Sequence, residues 1–249
     1  MLVKRSLAQW LAIVLTAATV PTVVFAADQC PTEPCGCNGP DPVDTAPYFI
    51  PNYSGWQTAR RVWTFMGGGT TQYRMFKYSS NDYELIKSPD GTSTETFEVT
   101  SSWIYVTSEV GPGILGSPSR IYNGNGLKFI PRVICPNKPT FRPCHEGEQL
   151  INATSCLPIG QTPSHCATYS SRIDLAPAWN YGYSVGVVDS IVKTDKLDDG
   201  KVEKYWYGRN RGLLRWELYS ASGVLLNWGQ QTSEIPNSAI PHNTCAQPQ

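Results

Sequence analysis

Two carboxylates in the C-terminal third, Asp189 and Glu217, are the residues whose type and placement best suit acid–base chemistry. Glycoside hydrolysis needs one neutral and one ionised carboxyl about 5–10 Å apart. Both residues fall on expected strands of one meander, where a shared face would bring them together. Glu84, Glu98, Glu109, Asp174 and Glu203 also lie on or beside expected strands. On an antiparallel sheet with one wet face, scattered carboxylates are ordinarily solvated. The sequence holds no G-x-S-x-G elbow, no H-E-x-x-H pair, no phosphate-cradling G-x-x-x-x-G-K and no dinucleotide fingerprint after a strand. Gly67-Gly68-Gly69 precedes no helix and reads as a hairpin turn. His145, His165 and His242 fall in expected loops, where nothing rigid would hold a catalytic base. The reading therefore leans away from an enzyme, with Asp189 and Glu217 as the pair should there be one, and it implies no cofactor.

Aromatic side chains offer a second kind of chemistry. Trp179, Tyr181 and Tyr183 alternate around Asn180 and Gly182, Tyr205-Trp206-Tyr207 runs into Gly208-Arg209-Asn210-Arg211-Gly212, and Trp216 stands between Arg215 and Glu217. Flat rings beside planar hydrogen-bonding groups suit sugars: the C–H face stacks and the hydroxyls meet Arg, Asn and Glu. Trp179, Tyr181, Tyr207, Arg209, Arg211 and Arg215 form the candidate ligand-binding set. Tyr207, Arg209 and Arg211 flank a glycine-bounded turn and are expected at the surface. More than half of the aromatics named belong in the core, because strands and interiors favour them in any case.

The hairpin from Tyr205 to Glu217 is similar, over that short stretch, to the closing hairpin of exported half-barrel proteins that carry lipids. A generic strand-turn-strand does not assign the chain to them. The likeness implies one further reading, an apolar ligand inside a cupped sheet.

Cysteine chemistry comes next. All eight cysteines follow residue 26: Cys30, Cys35 and Cys37, then Cys135, Cys144, Cys156 and Cys166, then Cys245. An even number in an exported chain reads as a disulfide set. Parsimony pairs the middle four with one another and lets an N-terminal cysteine reach Cys245. Zinc is the rival, since His145 follows Cys144 and His165 precedes Cys166. The spacings match no zinc pattern and an oxidising compartment disfavours free thiolates, so no metal is assigned.

The compartment follows from the first 26 residues. Lys4 and Arg5 precede an apolar run, and Val24-Phe25-Ala26 ends it as a cleavage site. The run is broken by Pro21 and is short for a membrane span, and no second stretch of spanning length follows. The mature chain is expected to be secreted, extracellular or periplasmic, with no membrane span. With 20 Lys+Arg against 20 Asp+Glu, the chain lacks the basic surplus of a nucleic-acid binder. Charged residues make up only 16%, which argues against a coiled coil.

The elements that must position these groups are strands. Thr58–Met66, Thr70–Tyr78, Tyr83–Lys87, Thr94–Thr100 and Ser102–Ser108 are rich in Thr, Val, Tyr, Trp and Phe, with turn signals between them. Asn123-Gly124-Asn125-Gly126, between Arg120-Ile121-Tyr122 and Leu127-Lys128-Phe129, is the strongest hairpin signal. Ser184–Thr194, Val202–Tyr207, Leu213–Tyr219 and Val224–Trp228 resume the pattern. No segment after the leader carries helical periodicity over eleven or more positions. The fold is therefore expected to be all-β, an antiparallel meander closed into a barrel or half-barrel, with a β-sandwich as the alternative. The expected organisation is a leader over 1–26, a Pro/Cys-rich loop segment over 27–57 and one β domain over 58–230. A disulfide-stapled insertion without periodicity covers 131–168, and a tail over 231–249 is tied back by Cys245. The function expected is a secreted, disulfide-stabilised binding protein for a carbohydrate-like ligand. The alternatives are a polysaccharide-degrading enzyme and a carrier of an apolar molecule.

Overall fold

The computed structural model describes residues 42–111, 118–135, 140–180, 186–236, 239–240 and 245. The leader, Cys30, Cys35, Cys37, Tyr181 and His242 lie outside the described residues. The described chain opens with β1 (Val43–Asp44) and a one-turn helix, α1 (Ala46–Phe49). A meander follows: β2 (Arg60–Phe65), β3 (Thr70–Lys77), β4 (Asp82–Ile86), β5 (Thr94–Val99) and β6 (Trp103–Val110). Next come β7 (Ser119–Tyr122), β8 (Leu127–Pro131), β9 (Val133–Ile134), β10 (Cys144–Ile151) and β11 (Pro158–Cys166). A second meander completes the order: β12 (Ser170–Asn180), β13 (Val187–Lys196), β14 (Val202–Gly208), β15 (Gly212–Tyr219) and β16 (Leu225–Ile235).

The fold is all-β and antiparallel. One large sheet runs β11-β10-β7-β6-β5-β4-β3-β2-β16-β15-β14-β13-β12, with β8 also on β6, while β1 and β9 form a separate ribbon. The two meanders join where β16 pairs with β2, from Gly229 opposite Phe65 to Ile235 opposite Arg60. The Asn-Gly turn forms, but the expected hairpin does not: β7 and β8 do not pair with each other, and both run antiparallel to β6, one on each side of the turn, because β6 is long enough to pair with both. Gly124 and Gly126 both have positive φ, and a Cβ on Gly126 would lie 2.5 Å from the Val106 carbonyl oxygen, so only glycine fits there.

Among the described residues the sheet does not close into a barrel. β11 and β12 end the strand path and do not pair with each other. The Ser171 backbone, at the start of β12, is taken instead by Phe141, through two N–H···O bonds of 2.8 Å. The two halves of the open sheet face each other across the core, which fits the sandwich-like alternative. Lys193 on β13 lies 4.8 Å from the ring centre of Phe129 on β8.

Three further expectations change. Residues 131–168 carry two of the longer strands, β10 and β11. β11 is an edge strand exposed along nearly its whole length, so it needs no apolar alternation and tolerates Pro158 and Pro163. The four middle cysteines do not pair only among themselves. Cys144 bonds Cys166, directly opposite it in the β10–β11 register, whereas Cys156, in the turn between those strands, bonds Cys245. Cys135 is disulfide-bonded as well. Finally, the Pro-rich segment before β2 is more than a loop. Pro47 falls in the first turn of α1, where a missing N–H costs nothing, and α1 buries Tyr48 and Phe49. Thr45 Oγ1 donates to the Pro131 carbonyl at 2.7 Å and the Asn210 N–H donates to the Pro47 carbonyl at 2.5 Å, tying α1 to both halves. Among the described residues no helix is long and apolar enough to cross a membrane.

Candidate functional site

Strand alternation builds an interior wall. Along β2 it turns Arg61, Trp63 and Phe65 inward, and along β14 it does the same for Glu203, Tyr205 and Tyr207. Cross-strand partners share a face. Tyr205 lies opposite Lys193 and Trp216, and Arg61 lies opposite Tyr73. These side chains other than Lys193, with Met75, Phe97, Phe129 and Phe49 of α1, line a cavity of about 530 Å³. Phe49 meets Phe97 edge-on at 4.8 Å and Tyr207 at 5.6 Å between ring centres. Trp63 stacks on Tyr73 at 5.1 Å.

Charged groups interrupt this apolar wall, and most have partners. Lys193, 1% exposed, donates to Asp195, which also accepts the Ser171 hydroxyl at 2.6 Å. Lys87 pairs with Glu95. Glu109 accepts the Tyr122 hydroxyl at 3.1 Å and faces Arg120, which bridges to Glu148 at 3.1 Å. Glu203 accepts the Tyr205 hydroxyl and lies opposite Asp195. Burial is the main cause that raises the Glu203 pKa above the usual carboxyl value, and the Asp195 charge adds to it. Burial likewise pushes the Tyr205 and Tyr207 hydroxyls far up.

The five expected ligand-binding residues that are described, Trp179, Tyr207, Arg209, Arg211 and Arg215, are not gathered at one place. Tyr207 is 3% exposed, not at the surface as its turn suggested, because its position on β14 faces the core and the cavity. Arg209 is exposed in the β14–β15 turn, and its N–H donates to the Asp189 carbonyl at 2.8 Å. Arg211 lies over the Tyr53 ring at 4.5 Å. Trp179 pairs with Val188 on β13. Arg215 is opposite Trp206, on the face away from the cavity. There it donates to Glu217 at 2.7 Å and to Gln230, and lies over Trp228.

Asp189 and Glu217 do not form a pair. Glu217 is level with Lys204 and hence with Thr194. Thr194 points to the opposite face from Asp189 and lies five residues further along β13, about 16 Å at roughly 3.3 Å per residue. Glu217 is buried and already accepts from Arg215 and Tyr219. Of the expected loop histidines, His145 is buried on β10, and burial holds its imidazole below its ordinary pKa. The Gly147 N–H donates to its Nδ1 at 3.2 Å. His165 faces it across the β10–β11 ladder, and the neighbouring sulfurs, of Cys144 and Cys166, are bonded to each other.

Arg61 and Asp195, which line the cavity, and Lys193, the buried partner of Asp195, are residues the sequence reading passed over. A signal was present, since each interrupts the apolar phase of a period-2 strand, Arg61 before Trp63 and Phe65, and Lys193 and Asp195 after Ile191.

No protein-family model matches the chain, and no curated protein matches it. Among solved structures, a protein from Bacteroides fragilis NCTC 9343, described as exported and as having a YmcC-like fold, is similar at 12% identity. That match covers 76% of this chain and 99% of the other, with a TM-score of 0.40.

Proposed function

We propose that this chain is an exported binding protein whose sheet curls as a half-barrel around the cavity, and that the cavity receives a small apolar molecule. The cavity itself carries this reading. At about 530 Å³ it falls within the range of small-molecule sites, and such sites combine apolar walls with a few placed polar groups. Rings from α1, β2, β5, β8 and β14 converge on it. Export is supported by the disulfides, which persist in oxidising compartments.

The test is titration of detergent-free protein with the neutral fluorophore N-phenyl-1-naphthylamine. Saturable enhancement at a single site is expected. Leu127→Trp, which adds ring volume from the cavity wall, should weaken binding at least about tenfold while the circular dichroism stays unchanged. The absence of saturable enhancement in the wild type rejects the reading, and so does wild-type affinity in a folded Leu127→Trp variant.

A carbohydrate-like ligand is the second reading, moved to the outer face of β14–β16. It is supported by Arg215, which Glu217 and Gln230 hold beside Trp228, and by Trp206 opposite it. Retention on a glycan panel that Trp228→Ala abolishes would favour it. Retention of no glycan removes it.

A further inference from the structure

We propose that Arg61 and Trp63 seat the carboxylate of a ligand whose apolar body fills the cavity. This rests on the apolar-ligand reading above and adds the chemistry of the ligand's head.

Both side chains project from β2 into the cavity wall, two residues apart on one face. Arg61 is 3% exposed, yet among the described residues its Nε and Nη2 have no hydrogen-bond partner, and neither has Nε1 of Trp63. A guanidinium cannot shed its charge at ordinary pH, and an indole N–H can only donate. Leaving such donors buried and unmet is costly, so the site asks for an acceptor, and a negative one. The two free nitrogens of Arg61 settle its shape. Nε–H and the Nη2 amino group share one edge of the planar guanidinium, the edge that grips both oxygens of a carboxylate in parallel bonds.

The surrounding charges leave that edge open. Tyr53 hydrogen-bonds Arg61 and donates its own hydroxyl proton to Glu234 at 2.8 Å, while Nε and Nη2 of Arg61 still lack a partner. Glu234 is opposite Arg61 in the β16–β2 register, but it is held by Tyr53 and by Gln231 Nε2 at 2.9 Å, and no ion pair joins it to Arg61 among the described residues. The carboxylates on the cavity wall have partners of their own: Glu95 with Lys87, Glu109 with Tyr122, Asp195 with Lys193, Glu203 with Tyr205. Beyond Arg61, Met75 and Phe97 continue the apolar wall, ready to cover a hydrocarbon body.

The experiment is displacement of N-phenyl-1-naphthylamine by dodecanoate and by dodecanol, with wild type, Arg61→Met and Arg61→Lys. Dodecanoate should lose about tenfold or more in affinity relative to dodecanol in Arg61→Met. Arg61→Lys should fall between, because an ammonium keeps the charge and loses the fork. Failure of the fluorophore to bind the wild type defeats the apolar-ligand reading itself. If it binds, but dodecanoate affinity relative to dodecanol is unaffected by Arg61→Met, the carboxylate seat alone is overturned. Should Arg61→Met fail to fold, unchanged relative affinity in Arg61→Lys overturns it equally.

Discussion

Glu203 stands opposite Asp195 on the cavity wall, and burial lifts its pKa above the ordinary value of 4.5. Between those two values the native state binds a proton that the unfolded state has released. Its contribution to stability is therefore complete below the ordinary value and is lost as the pH rises through the raised one. Glu203→Gln keeps an acceptor for the Tyr205 hydroxyl and cannot ionise. Its melting temperature should match the wild type in acid and exceed it near neutral pH. A constant difference across the range would show that ionisation of this carboxyl does not matter. The sequence named Glu203 as one carboxylate among seven, and nothing local set it apart. Its raised pKa comes from burial and from the Asp195 charge, and Asp195 reaches it only through the β13–β14 register. Asp189 and Glu217 failed as a pair for the same reason, since a face and an offset are properties of paired strands and not of spacing along the chain.

Short elements with much buried surface control the next scale. α1 has four residues, yet Phe49 contacts rings on β5, β8 and β14. Phe49→Ala should cost about 3–5 kcal/mol, the usual range for removing a packed ring, read from urea unfolding. A loss below about 1 kcal/mol would mean that α1 rests on the sheet without closing the core. The disulfides differ in reach. The Cys156–Cys245 bond spans 89 residues and the Cys144–Cys166 bond spans 22. Considered alone, removing the first by double Ser substitution should cost about 4.5 kcal/mol and the second about 3. The reverse ranking in denaturant titrations would show that native packing, not loop length, sets their worth. Ile240 of the tail packs with Phe76 and Ile86, so the longer tie also holds an apolar contact in place. The meander strands were legible because one face of each is buried and alternation records it. β11 was not, because an exposed edge strand has no buried face to record.

The two halves of the sheet share one core, with Phe97 and Ile104 from one side and Ile191 and Tyr207 from the other. Unfolding should accordingly be a single transition, with far-ultraviolet circular dichroism and tryptophan fluorescence coinciding. Separate midpoints would mark the halves as independent units. At this scale the sequence by itself determined the class of the protein, an antiparallel all-β chain cross-linked through cysteines, because strand periodicity, turn residues and cysteine count are local. It also determined most strand positions, since a half-buried strand writes its inner face into every second residue. Tertiary structure alone decided that the sheet stays open, that Cys245 joins Cys156, that Tyr207 turns inward and that Arg61 lies buried against a cavity. Each of these depends on which distant segment arrives beside a given residue, and register and packing across the core set that.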